Sequence, residues 1–187
     1  MKNINREIEI KFKIKNLDFI RKKLKNQGAK FIGKAFERTI RFDTPNNDLE
    51  KNKKFLRIRT GFKNVITFKR KVKSKKFKER EEIELEISDP RKMEIILENL
   101  GFTKKLIMEK YREKWKLGDT EIAIDTLPKM GSFIEIEGSK NGIEKVVKIL
   151  ELDFKNRITE TYWGLWKKFS KAKGIKDENI IFNANKF

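Results

Sequence analysis

The sequence predicts an α+β fold in which about eight antiparallel strands bury their apolar faces under a few helices. Three observations lead to it. At least six stretches alternate apolar and polar residues with a period of two, the mark of a strand with one buried face. The polar faces of those stretches carry charge of definite sign rather than mixed polar residues. The segments between them have apolar residues at helical spacing, and such stripes need an apolar surface to cover.

Residues 6–14 open the pattern, with Ile8, Ile10, Phe12 and Ile14 on one face and Glu7, Glu9, Lys11 and Lys13 on the other. Two carboxylates beside a lysine can hold a hard divalent cation next to a phosphate oxygen. An ordinary strand with a solvated face gives the same alternation. Leu17, Ile20 and Leu24 have helical spacing, with Asn16 as N-cap and Gly28 as stop. A second strand is expected over about 34–42, followed by turn chemistry from Asp43 to Asp48. Residues 55–60 alternate again and set Arg57 and Arg59 on one face. A turn over 61–64 leads into 65–69, where Thr67 and Lys69 share a side. The cationic run from Lys69 to Lys78 reads as a solvated hairpin loop.

Residues 79–87 place Arg80, Glu82, Glu84 and Glu86 opposite Ile83, Leu85 and Ile87. Ser88 or Asp89 then caps a helix with Pro90 in its first turn, and Ile95, Ile96 and Leu100 are expected to face inward. A long strand over 105–117 carries Lys110, Arg112 and Lys114 on one face. The chain returns over 120–127 with Glu121, Ala123 and Asp125 together, and 133–137 repeats the opening pattern with Glu135 and Glu137. Helices over about 141–150 and 159–172 follow, the second bearing Tyr162, Trp163, Leu165, Trp166 and Phe169. Residues 1–172 read as one domain and 173–187 as a loosely ordered tail in which Ile180, Ile181 and Phe182 can dock.

Composition narrows the chemistry. A chain of 187 residues can build a real core. It has neither cysteine nor histidine, so thiolate zinc sites, thiol nucleophiles and imidazole bases are excluded. A metal must be held by carboxylates and should be magnesium or manganese in character. A proton must move through a carboxylate, lysine, tyrosine or metal-bound water. With 47 basic and 28 acidic residues the net charge is +19, which attracts polyanions. No apolar run reaches 18 residues and the N-terminus has no apolar signal core, which leads to the expectation of a cytoplasmic protein without membrane contact.

The charged faces admit two arrangements. If helices cover the outside of a curved sheet, those faces line a wet interior that takes metal ions and an anionic ligand. If the sheet stays open, they simply meet water. The acids concerned are Glu7, Glu9, Glu82, Glu84, Asp125, Glu135 and Glu137, and the bases are Lys11, Arg57, Arg59, Lys69, Arg80, Arg112 and Lys114.

In order along the chain, Glu7-Ile8-Glu9-Ile10-Lys11, Phe42-Asp43-Thr44 and Leu56-Arg57-Ile58-Arg59 come first, then Lys69, and Arg80 with Glu82 and Glu84. Glu109-Lys110-Tyr111-Arg112, Asp125 and Gly131 to Glu137 complete the set. Together they are similar to the CYTH-domain family, the triphosphate tunnel metalloenzymes, over about residues 4–170. The founding groups of that family are class IV adenylyl cyclases and thiamine triphosphatases. The resemblance implies a closed eight-stranded antiparallel barrel, a tunnel, with helices outside. It implies metal ligands at Glu7, Glu9, Glu84, Asp125, Glu135 and Glu137. Substrate contacts are implied at Lys11, Arg57, Arg59, Lys69, Arg80 and Arg112, with Lys11, Glu82 and Arg112 acting in catalysis.

The stretch Thr161 to Trp166 resembles the class IV cyclase branch, with Thr161 in place of that branch's serine and Trp166 in place of a leucine. The family's tandem aromatics before Asp-Thr are reduced here to Arg41-Phe42. The resemblance thus implies a magnesium- or manganese-dependent enzyme that turns ATP into cyclic AMP and pyrophosphate. The alternative is a triphosphatase acting on tripolyphosphate, thiamine triphosphate or a nucleoside triphosphate. A non-catalytic basic module for polyphosphate or nucleic acid is a third reading. Charged strand faces without interleaved aromatics argue against sequence-specific nucleic-acid binding, and a homodimer is among the assemblies left open.

Overall fold

The computed structural model describes the backbone of residues 5–71 and 78–182 and the side chains of residues 8–70 and 81–182. Eight strands are present: β1 (Asn5–Ile14), β2 (Lys30–Asp43), β3 (Lys54–Thr60), β4 (Val65–Lys71), β5 (Lys78–Glu86), β6 (Thr103–Leu117), β7 (Thr120–Leu127) and β8 (Gly131–Glu137). Among the described residues five α-helices connect or cover them, α1 (Leu17–Asn26), α2 (Asp48–Lys51), α3 (Pro90–Asn99), α4 (Lys140–Ile149) and α5 (Tyr162–Lys173), with one 3-10 turn at Phe154–Asn156. The pairing order is β1-β5-β4-β3-β2-β6-β7-β8, antiparallel throughout, and β8 pairs with β1 to complete a ring.

The alternation read from the sequence decides which face goes where. Ile10, Phe12 and Ile14 of β1 join Ile122, Ile124, Ile134 and Ile136 of β7 and β8 on the outside of the ring. Ile20 and Leu24 of α1 and Ile143, Val146 and Val147 of α4 cover them. The caps are those the residue types favour: the side chains of Asn16, Asp89, Ser139 and Thr161 each accept a backbone N–H in the first turn of α1, α3, α4 and α5. β2 begins four residues earlier than expected. Its long antiparallel pairing with β6 draws in residues 30–33 through an irregularity at Phe31/Gly33.

Two details differ from the sequence reading. The stretch after Asp43 contains a short helix, α2, because the Asp43 carboxylate accepts the backbone N–H groups of Thr44, Leu49 and Glu50. The inward face of α3 is also not the one expected. Leu97 is buried and Met93 packs beside it against Phe42, Leu56 and Ile58, whereas Ile95 and Ile96 are each 50% exposed and Leu100 68%. This helix has apolar residues on two faces, and the pair spaced i, i+4 at 93 and 97 reached the sheet. Leu97→Ala should therefore cost about 2–5 kcal/mol in a urea melt. Leu100→Ala should change stability by less than about 0.5 kcal/mol. Equal losses would contradict this packing.

The cluster around α5 is of another kind. Tyr162, Trp163 and Trp166 pack against Met108 of β6, Leu127 of β7 and Phe133 of β8. Met108 lies two residues from Lys110, and Phe133 two residues from Glu135, so these apolar residues are on the charged, inward face of their strands. Thus α5 lies across one end of the ring. The segment after it docks along β6: Ile180 N–H donates to the Ile107 carbonyl, and the Ile180 carbonyl accepts from Glu109 N–H. The cationic segment 72–77 lies outside the described residues. Among the described residues no helix is long and apolar enough to cross a membrane.

Candidate active site

The charged faces turn inward and enclose a cavity of about 760 Å³. Strand register distributes its charge unevenly. On β1, β8 and β7, Glu9 stands directly opposite Glu137, and Glu137 directly opposite Glu121, with Glu135 one step along β8. The other side of the ring carries Arg57 and Arg59 from β3 and Lys69 from β4, while Lys110, Arg112 and Lys114 of β6 stand beside β7. In the ring order β3 is four places from β8, so the arginine pair faces the Glu135/Glu137 pair across the cavity.

Ion pairs run along both walls. Lys11 Nζ lies 3.2 Å from Glu135 and 3.4 Å from Glu9, and 5.1 Å above the Tyr162 ring. Burial works against its charge, but Glu9 and Glu135 outweigh this and push its pKa up, so Lys11 stays cationic. Lys69 Nζ is 2.6 Å from Glu82, which also has Arg57 at 4.0 Å. Arg59 Nη2 and Thr67 Oγ1 both donate to Glu84, at 3.3 and 3.0 Å. Arg57 Nε is buried without a hydrogen-bond partner.

Asp125 has a different environment from the other acids. Arg112 donates to it from Nε and Nη2, both at 2.6 Å; Lys110 Nζ donates at 3.0 Å and Tyr162 Oη at 2.8 Å. Arg112 also bonds Glu135. With four donors on two oxygens, Asp125 is a fully buried anchor that aims Arg112 and Lys110. Burial, then Asp125 and Glu135, raise the Tyr162 pKa well above its ordinary value, so the phenol stays a donor.

Of the residues expected to form the site, Glu9, Lys11, Arg57, Arg59, Lys69, Glu82, Glu84, Arg112, Glu135 and Glu137 line this one cavity. Asp125 reaches it through Arg112, and the side chains of Glu7 and Arg80 lie outside the described ones. Among the residues that enter without having been foreseen as site members are Glu121, Glu37, Lys110 and Tyr162.

Glu37, on β2, is buried with Lys110 Nζ at 3.5 Å and Arg112 Nε at 3.7 Å. Burial alone would raise its pKa, but Lys110, Arg112, Arg59 and Arg57 bring it down from 4.5 to about 2. A depressed folded-state pKa stabilises the protein above the unfolded value, and that stability is lost as pH falls through the folded value. Between pH 4.5 and about 2 the parent should therefore lose stability. Glu37→Gln should flatten that part of the profile, measured as unfolding free energy against pH. An unchanged slope in the variant would refute the assignment.

Carboxylates directly opposite on neighbouring strands repel, and a divalent cation relieves that repulsion. Among the described residues no three acidic side chains gather around one point. The donors on the β1, β8 and β7 wall are all carboxylate oxygens, the chemistry that magnesium and manganese prefer. In donor chemistry, though without a preformed three-carboxylate cluster among the described residues, this wall fits such an ion.

Comparison with known proteins places this geometry. The CYTH domain model matches residues 5–162. A Methanocaldococcus jannaschii protein named "Putative adenylate cyclase" is 38% identical over 146 residues, which cover 78% of this chain and 83% of that protein. A solved protein from Pyrococcus horikoshii OT3 is 31% identical and superimposes with a TM-score of 0.73, over 87% of this chain and 99% of that one. A Hippeastrum protein described as a "putative adenylyl cyclase" with "a dominant triphophatase activity" is 22% identical, over 90% of this chain and 88% of that one, with a TM-score of 0.56. At that identity the likeness concerns the fold.

Proposed function

Because the chain belongs to the CYTH domain family, we propose that its cavity is a tunnel that binds a triphosphate with a divalent cation and cleaves a phosphoanhydride bond. The observation that carries this reading is the division of the cavity wall. Arg57, Arg59 and Lys69 stand on one side and Glu9, Glu135 and Glu137 on the other. A polyanion with its counter-ion is the ligand that satisfies both walls at once.

The roles follow from the neighbours each residue has. Arg57 and Arg59 present guanidinium groups suited to bidentate phosphate contact, and Arg57 Nε has a donor to spare. Lys11, Lys69, Lys110 and Arg112 add charge along the chain of phosphates, with Arg80 joining them by strand position. Glu9, Glu135 and Glu137 would hold magnesium or manganese, with Glu7 two residues before Glu9 on the same strand. Bound there, the ion neutralises phosphate charge and polarises a phosphoryl oxygen. Glu84, tied to Arg59 and Thr67, and Asp125, tied to Arg112 and Lys110, serve better as positioning groups than as ligands.

In the cyclase form of the reaction, the 3′-oxygen of ATP attacks the α-phosphorus, the α–β bond breaks, and pyrophosphate leaves. Lys11 and Arg112 stabilise the charge that gathers on the leaving oxygens, and Glu82 takes the proton of the attacking hydroxyl. The resemblance of residues 161–166 to the class IV cyclase branch favours this form. The same wall serves a triphosphatase if water meets the terminal phosphorus instead. ATP, thiamine triphosphate and tripolyphosphate should be supplied separately with magnesium and with manganese, and the products resolved. Cyclic AMP and pyrophosphate in equal amounts identify the cyclase. Orthophosphate without cyclic AMP identifies the triphosphatase. No turnover of any of the three with either metal refutes both.

A further inference from the structure

A second cavity, of about 600 Å³, lies between β2, β6 and α5, and Trp163 lines both it and the first cavity. Its lining contains five cations, Arg41, Lys105, Lys167, Lys171 and Lys176, against three acids. Glu50, one of the acids, is already engaged: it accepts from Arg41 Nη2 at 3.1 Å and has Lys167 at 3.7 Å. Lys171 and Lys176 are exposed and, among the described residues, paired with no carboxylate.

Arg41 distinguishes this cavity from a patch of surface lysines. It is 7% exposed, its guanidinium lies 5.4 Å from the Phe55 ring, and its Nε has no hydrogen-bond partner. It also stands directly opposite Arg57 in the β2–β3 register, and Arg57 Nε is likewise buried and unpartnered. Directly opposed like charges repel, and a buried donor without an acceptor is costly. The carboxylates of Glu50, at 3.1 Å, and Asp43, at 3.4 Å, already meet Arg41 Nη2, so an anion in the second cavity would add the acceptor that Arg41 Nε lacks, as one in the first cavity would for Arg57 Nε.

We propose that the second cavity is an anion site in its own right, taking a short inorganic phosphate such as pyrophosphate, with Arg41 at its floor and Lys171 and Lys176 at its mouth. Among the described residues Trp163 alone lines both cavities, so each has its own set of contacts and the two can be filled together. This site does not depend on what the first cavity cleaves.

Titration calorimetry of the full chain with pyrophosphate in EDTA tests the proposal. Lys171→Glu/Lys176→Glu changes only exposed side chains and should lose one binding event or weaken it at least tenfold. Lys22→Glu/Lys25→Glu on α1 makes the same charge change far from the cavity and should leave the isotherm unaltered. Arg41→Gln should reproduce the loss, with a melting curve reporting on its fold. Arg57→Ala/Arg59→Ala should keep the event that the Lys171/Lys176 variant loses, which separates this site from the triphosphate site. An isotherm unchanged in Lys171→Glu/Lys176→Glu, or an equal loss in Lys22→Glu/Lys25→Glu, overturns the proposal.

Discussion

Glu137→Gln is expected to lower turnover about 100-fold or more at limiting magnesium, with the fold retained. Glu137 stands between Glu9 and Glu121 across three neighbouring strands, on the wall that would hold the ion. Glutamine keeps the shape and removes an anionic oxygen from that wall. Loss of a group that merely orients a metal ligand costs about 10–100-fold, and loss of a ligand should cost at least as much. Glu9→Gln should behave alike in turnover. Parental turnover by either variant at limiting magnesium would remove the metal assignment.

Arg57→Ala and Arg59→Ala are each expected to weaken tripolyphosphate or ATP binding by about 2–3 kcal/mol, roughly 30- to 150-fold, the cost of truncating a buried charged contact. The two should differ in their effect on the unliganded protein. Arg59→Ala leaves Glu84 with Thr67 as its donor, and Arg57→Ala leaves Glu82 with Lys69. Neither carboxylate is stranded, so the fold should survive both changes. Arg57→Ala also removes half of the opposed Arg41/Arg57 pair, and its unliganded form should be the more stable of the two. Unchanged affinity in both variants would mean that the cavity wall does not hold phosphate.

The alternation of β1, β3, β6 and β8 made most of this site readable from the sequence, because a period of two fixes which residues share a face before any pairing is known. What it could not supply was which wall meets which. Glu135 facing Arg57 depends on the ring order, in which β8 and β3 are far apart in sequence. Asp125 shares a face with Glu121, and the family resemblance groups it with the metal ligands. Its actual partners come from β6 and from Tyr162, 37 residues further on. Tyr162 belongs to an apolar helical stripe, and nothing in that stripe reveals that its hydroxyl reaches a buried carboxylate. Glu37 was within reach: Glu37, Thr39 and Arg41 alternate along β2 with Arg38, Ile40 and Phe42. The arginine at 38 blurs that pattern, which hid a buried acid.

The cationic wall also explains why composition alone misleads. A net charge of +19 suggests a nucleic-acid surface, yet several of these cations face a cavity wide enough for a small ligand and lined by acids. Thermal melting with tripolyphosphate, ATP, AMP or a short RNA, each with magnesium or with EDTA, tests this central claim most directly. Ligand at about 100 times its Kd stabilises by about 2.7 kcal/mol, which for a chain of this size is roughly 5–10 °C. Tripolyphosphate with magnesium should produce that rise, EDTA should diminish it, and AMP and RNA should do far less. If RNA raises the melting temperature at least as far and EDTA makes no difference, the account of a metal-assisted triphosphate cavity is contradicted.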